Sequence, residues 1–189
     1  MISLNTLVID VETGGLNPKE HAICSITMKA FGKGTYQNIF IKPQPNLIYT
    51  PEAMALTGIS MDYLAQFGVD EETAIKNTIS FVRGNFDKRP HILGHNVDFD
   101  LGFMNELFKR KANITFNDLI HVHKKDTMLN SLFLRDSGVV DLDSLSLGCC
   151  YTKICKKNPL NAHSSHGDVL MTEELYLMQM KLIGGNKNA

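Results

Sequence analysis

The sequence predicts an α/β or α+β fold, a sheet covered by helices, and three observations carry it. Three strand-like runs come first, at residues 4–11, 21–31 and 35–43. The second and third are joined by a turn at Gly32-Lys33-Gly34, a hairpin signal and so an antiparallel start. Beyond residue 50 the apolar period changes from two to about 3.6, and strand and helix patterns alternate. These patterns leave the order of the strands undetermined.

Each element has a local reason. The first run leads into "LVIDVETGG" (7–15), where Leu7, Val8, Ile9 and Val11 are apolar, Asp10 interrupts them and Glu12 follows. "HAICSITMKAF" (21–31) and "TYQNIFIKP" (35–43) form the hairpin. Pro51 breaks the strand pattern and suits the first turn of a short helix. In "DEETAIKNTISFVRGNF" (70–86) Ile75, Ile79, Val82 and Phe86 have helical spacing, with Asp70, Glu71 and Glu72 at the positive end of the helix dipole. "HILGHN" (91–96) reads as a buried strand. Leu101, Met104, Leu107 and Phe108 then return to helical period. Residues 126–138 and 165–182 read as further helices, with glycines near 138 and at 184–185 suited to C-terminal caps.

Composition limits the function classes. The chain has 189 residues, 43% hydrophobic and 21% charged, enough for one domain with a full core. There is no linker, repeat or low-complexity segment, so 1–189 is expected to be a single domain. No apolar run of about 18 residues suggests a membrane span, and "MISLNTL" lacks the look of a secretory signal. Cys24, Cys149, Cys150 and Cys155 contain no C-x-x-C pair. A cytoplasmic protein with free thiols is expected. The net charge of −1 argues against coating nucleic acid through bulk charge, but not against gripping a few phosphates with the help of metals.

Carboxylates recur where one element gives way to the next. Residues i and i+2 of a strand face the same way, so Asp10 and Glu12 share a side and repel unless a cation or solvent lies between them. Asp98 and Asp100 stand at the junction of the 91–96 strand and the following helix. Asp168 opens the last long helix, five residues after His163. Hard divalent cations take oxygen ligands, often from separate elements. Bland readings stand beside this one: Asp98 as an N-cap, Asp100 as a first-turn acid, Asp168 in a capping box with Ser165.

"DVETGGL" (10–16), "HNVDFDLGFM" (95–104) and "HSSHGD" (163–168) resemble, in order and separation, the three exonuclease motifs of the DEDD superfamily. The H-x-x-x-x-D spacing marks the DEDDh or DnaQ-like branch, which includes RNase T and the bacterial proofreading subunit. "PEAMALTGI" (51–59) is similar to a family segment between the first two motifs. The resemblance spans nearly the whole chain. It implies an α/β, RNase H-like fold with a mixed five-stranded sheet and flanking helices. It implies 3′–5′ exonuclease activity on single-stranded DNA or RNA, releasing nucleoside 5′-monophosphates. Asp10, Glu12, Asp100 and Asp168 would hold two Mg²⁺ or Mn²⁺ ions, with His163 as general base. Thr13 would hold the terminal nucleotide, and Leu16 would wedge against its base. Gly14 stands where the family usually has a second threonine. Gly14 and Gly15 are expected to let a nucleotide lie against the backbone.

The resemblance leaves DNA or RNA preference open, as it does the oligomeric state, a dimer included. Few residues follow the last helix, so a free-standing nuclease is expected in place of a polymerase subunit with a binding tail. The alternative function is a catalytically silent end-binding module of the same fold, which a missing acid would have supported. All four acids and the histidine are present. Two other groups read as bystanders: His121 and His123 of "HVHKK" as an exposed strand or loop, and Cys149, Cys150, Cys155, His163 and His166, whose spacing fits no zinc module. Asp126 reads as a helix cap with at most a supporting role.

Overall fold

The structure, a computed structural model, describes residues 5–160 and 165–185. Its strands are β1 (Thr6–Thr13), β2 (Ile23–Ala30), β3 (Tyr36–Phe40), β4 (His91–Gly94) and β5 (Lys124–Asp126). They form one sheet of order β3-β2-β1-β4-β5. The expected hairpin is β2–β3. β1 runs antiparallel to β2 and parallel to β4, and β4 runs parallel to β5. The result is the mixed five-stranded sheet of an RNase H-like α/β fold.

Among the described residues seven α-helices flank the sheet: α1 (Pro51–Thr57), α2 (Met61–Phe67), α3 (Glu71–Asn85), α4 (Val97–Ala112), α5 (Thr127–Asp136), α6 (Leu147–Cys155) and α7 (Ser165–Ile183). Their starts follow capping chemistry. The side chains of Thr50, Ser60, Asp70 and Ser146 each accept the N–H three residues on, satisfying a donor that has no partner within the helix.

The strand period of two sorts β1 between two layers. Leu7, Ile9 and Val11 enter a core built with Ile75, Val82, Leu101 and Met104 of α3 and α4. Val8 faces the other way, into a smaller cluster with Val169 and Tyr176 of α7. A third cluster, containing Leu134, Tyr151 and Leu175, joins α5, α6 and α7. No helix among the described residues is long and apolar enough to cross a membrane. The four cysteines are free.

The structure corrects several local expectations. β1 continues to Thr13, with a register shift between Glu12 and Thr13, so the acidic pair lies within the strand. β4 stops at Gly94, because Asn96 takes a left-handed conformation (φ 67°) and α4 starts at Val97. Asp98 is therefore not an N-cap. It lies in the first turn, exposed and ion-paired with Lys124. The segment after Pro51 holds two short helices, and α6 was not foreseen.

Candidate active site

The site grows from the face of β1 that looks toward α7. On that face Val8 is fully buried, and Asp10 and Glu12 follow at the strand period toward its carboxyl end. α7 packs on the same face through Val169, so Asp168, one residue earlier, arrives opposite the pair. One carboxylate oxygen from each of Asp10, Glu12 and Asp168 lies within 4.8 Å of the other two.

Asp100 reaches the same strand from α4. The β1–β4 ladder ends at the pair Val8–Leu93. Beyond it, the N–H of Val11 donates to Asp100 Oδ1 at 3.0 Å. Asp100 is buried, 5% exposed, and its charge acts directly on Asp10.

Crowding shows in the proton affinities. Burial, and then the charges of Asp100, Glu12 and Asp168, hold the Asp10 carboxyl well above the usual carboxylate range. Glu12 is pushed up to about 7 by burial and by Asp168. Asp100 is raised too, because burial outweighs the hydrogen bond from Val11. Asp10 Oδ2 is buried and has no hydrogen-bond partner. A buried acceptor without a donor is costly, and a cation satisfies it. An all-oxygen donor set with such an orphaned oxygen fits hard divalent ions such as Mg²⁺ or Mn²⁺.

Beside the acids lies a cleft of about 510 Å³ whose lining includes Glu12, Thr13, Leu16, His21, Leu56 and Phe99. Thr13 is buried, and its hydroxyl donates to the Gly15 carbonyl at 2.7 Å. Leu16 is 83% exposed, which removes core packing as the reason for an apolar side chain there. The glycines have a reason within the fold itself. A Cβ on Gly14 would stand 2.7 Å from the Ile48 carbonyl oxygen, and one on Gly15 would overlap the His21 ring. The backbone bonds Gly14 N–H to Ala22 O and Thr50 N–H to Gly14 O keep the 48–50 segment there. Gly14 therefore makes room for the protein's own chain.

His163 lies outside the described residues. His166 falls in the first turn of α7, as expected. Its ring lies against Tyr36 of β3, with centroids 4.3 Å apart, and its Nδ1 is buried without a hydrogen-bond partner.

Asp126 does more than the cap it was read as. Its Oδ1 accepts the N–H groups of Met128 and Leu129 at the start of α5. The same carboxylate accepts those of Asn96 (3.1 Å) and Val97 (2.9 Å) at the start of α4, the helix that carries Asp100. Next to it His95 is held between Thr127 Oγ1 (2.8 Å) and the Leu145 carbonyl (2.7 Å). The signal in the sequence was an aspartate and a histidine-asparagine pair, each at the end of a strand.

A model of the RNase T family, described as an exonuclease, matches residues 7–176. The chain belongs to this exonuclease family. The fold is also that of solved exonuclease I structures. The E. coli enzyme in complex with a dT13 oligonucleotide is 20% identical, with a TM-score of 0.75 over 93% of this chain and 40% of that one. Exonuclease I from Methylocaldum szegediense is 18% identical, with a TM-score of 0.72 over the same shares. The present chain thus spans about two fifths of the length of the exonuclease I chains it matches. The family match makes the chain a nuclease domain.

Proposed function

We propose that this domain is a 3′–5′ exonuclease that hydrolyses single-stranded nucleic acid from its 3′ end and releases nucleoside 5′-monophosphates. The observation that carries the reading is the convergence of Asp10, Glu12 and Asp168, with a buried Asp10 oxygen that has no donor, next to an open cleft. Asp10, Glu12, Asp100 and Asp168 would hold two Mg²⁺ or Mn²⁺ ions. Bound there, such ions supply charge neutralisation at the phosphate and a more acidic water. His163 takes the proton of the attacking water, a task for which a histidine near neutral pH is suited. Thr13 holds the terminal nucleotide in the cleft, and Leu16 offers an apolar edge to its base. Asp100 is fixed by the Val11 N–H, with its charge acting on Asp10.

The likeness to exonuclease I, whose structures include complexes with single-stranded DNA, supports a single-stranded substrate. The test is digestion of matched 5′-labelled single-stranded DNA and RNA with Mg²⁺, with Mn²⁺ and with EDTA. A descending ladder that keeps its label, formed only with metal, is expected on at least one substrate. Immediate release of labelled mononucleotide would reverse the polarity, and full activity in EDTA would remove the role of the metals.

A further inference from the structure

Three histidines meet at the other end of the sheet from the carboxylates. His91 opens β4 and pairs with Thr6 on β1. Thr6 lies six residues before Glu12, about 20 Å away at ~3.3 Å per residue. His121 and His123 stand on the segment that leads into β5, and the bend at Val122 between them brings their rings side by side. That segment is tied to β4: the His121 N–H donates to the Pro90 carbonyl at 2.8 Å, and His91 Nδ1 lies 3.4 Å from the His123 carbonyl. The ring centroids are 4.5 Å apart for His91 and His121, 4.9 Å for His121 and His123, and 6.3 Å for His91 and His123.

Three imidazoles on one tetrahedral ion, with metal–nitrogen bonds of about 2.1 Å, have ring centroids about 5 Å apart. Two of the three spacings here have that value, and the His91–His123 pair, at 6.3 Å, must close by about 1 Å. The ring nitrogens do not converge within 4.8 Å of one another. Turning the side chains about Cα–Cβ and Cβ–Cγ is the change required, and His123 is exposed while the other two are partly so. At His121 the turn gives up the 3.1 Å bond that its Nδ1 accepts from the His123 N–H. Partial burial and its two neighbours lower the proton affinity of His121, which favours the neutral form that ligates metals.

We propose that His91, His121 and His123 form a binding site for a divalent transition-metal ion of the Zn²⁺ type, with water completing the coordination. The donor chemistry separates it from the carboxylate site. Imidazole suits zinc, nickel and copper, whereas an all-oxygen set suits magnesium and manganese. The two sites therefore fill independently when Mg²⁺ is in excess.

The test uses the full chain in excess Mg²⁺. Ni²⁺ is added while imidazole resonances are followed by NMR, and Zn²⁺ binding is measured by calorimetry. Stoichiometric Ni²⁺ is expected to broaden His91, His121 and His123 before the other four of the seven histidines. The His121→Gln/His123→Gln double variant should bind Zn²⁺ about tenfold more weakly or worse. Its circular dichroism and its nuclease activity should match those of the parent. An unchanged Zn²⁺ isotherm in the double variant, no Zn²⁺ binding by the parent, or broadening centred on His21, His163 or His166 would overturn the site.

Discussion

Asp98 and Asp100 share one helical turn, yet their surroundings are opposite. Asp98 is exposed and paired with Lys124, while Asp100 is buried against the backbone of β1 beside Asp10. Exposed pairs are worth about 0–1 kcal/mol, so Asp98→Asn should leave nuclease activity and melting temperature close to those of the parent. Asp100→Asn should remove nearly all activity. In EDTA it should nevertheless melt no lower than the parent, because an amide oxygen can still accept the Val11 N–H and one repelling charge is gone. Equal loss of activity in the two variants would reject the assignment. Leu16→Ala should raise KM several-fold, with a stability change inside about 0.5 kcal/mol, as thermal melting and substrate titration would show. Loss of stability with KM unchanged would mean that Leu16 does not serve the substrate. At this scale the acidic pair was legible, because the strand period alone puts Asp10 and Glu12 on one face. The reason for Gly14 was not. The chain that passes over it comes from Ile48 and Tyr49, and no local pattern announces that crossing.

The elements were legible where their own period showed. β1, the β2–β3 hairpin, α3, α4 and α7 all carry a clear apolar repeat. α6 was missed although Leu147, Cys150, Tyr151 and Ile154 have the i, i+3, i+4, i+7 spacing. Cysteine behaves there as a small buried hydrophobe, a role that a polar or metal-ligating reading of the residue hides. β5 has three residues, too few to show a period. Asp126, between β5 and α5, ties two helix starts together. In Asp126→Ala, α4 and α5 both lose their acceptor. At about 0.5–2 kcal/mol for each lost cap, stability should fall by roughly 1–4 kcal/mol. Activity should fall as well, since α4 carries Asp100. Asp70→Ala is the control. It removes the cap of α3, whose side chain accepts the Thr73 N–H away from the site. It should lower the melting temperature and leave kcat in place. If both variants keep full kcat at a temperature where they are folded, Asp126 does not position the acid.

For the whole molecule, strand order was the part that the chain kept hidden. β1 lies between β2 and β4, and the β1–β4 pairing joins residues far apart in sequence. Such pairing follows from layer packing, not from local pattern, yet it brings together acids from β1, α4 and α7. The same assembly couples folding to pH. Glu12 titrates at about 7 in the folded chain against an ordinary value of 4.5, and Asp10 and Asp100 are raised as well. An acid whose folded value is raised binds more protons folded than unfolded, so its contribution to stability falls as pH rises between the two values. Below about 4.5 the penalty from Glu12 is absent, and above about 7 it is complete. Divalent ions need the deprotonated carboxylates, and they stabilise the fold by binding it in preference to the unfolded chain. The gain in melting temperature on adding a fixed excess of Mg²⁺ should therefore be small at pH 5.5 and grow as pH rises through 7. Taking the difference with and without Mg²⁺ at each pH cancels groups remote from the site, such as His121, whose proton affinity is lowered by burial. Glu12→Gln should flatten the metal-free part of the curve between pH 5 and 7. A Mg²⁺ gain that is the same from pH 5.5 to 8 would mean that the carboxylates on β1 are not where the metal meets the fold.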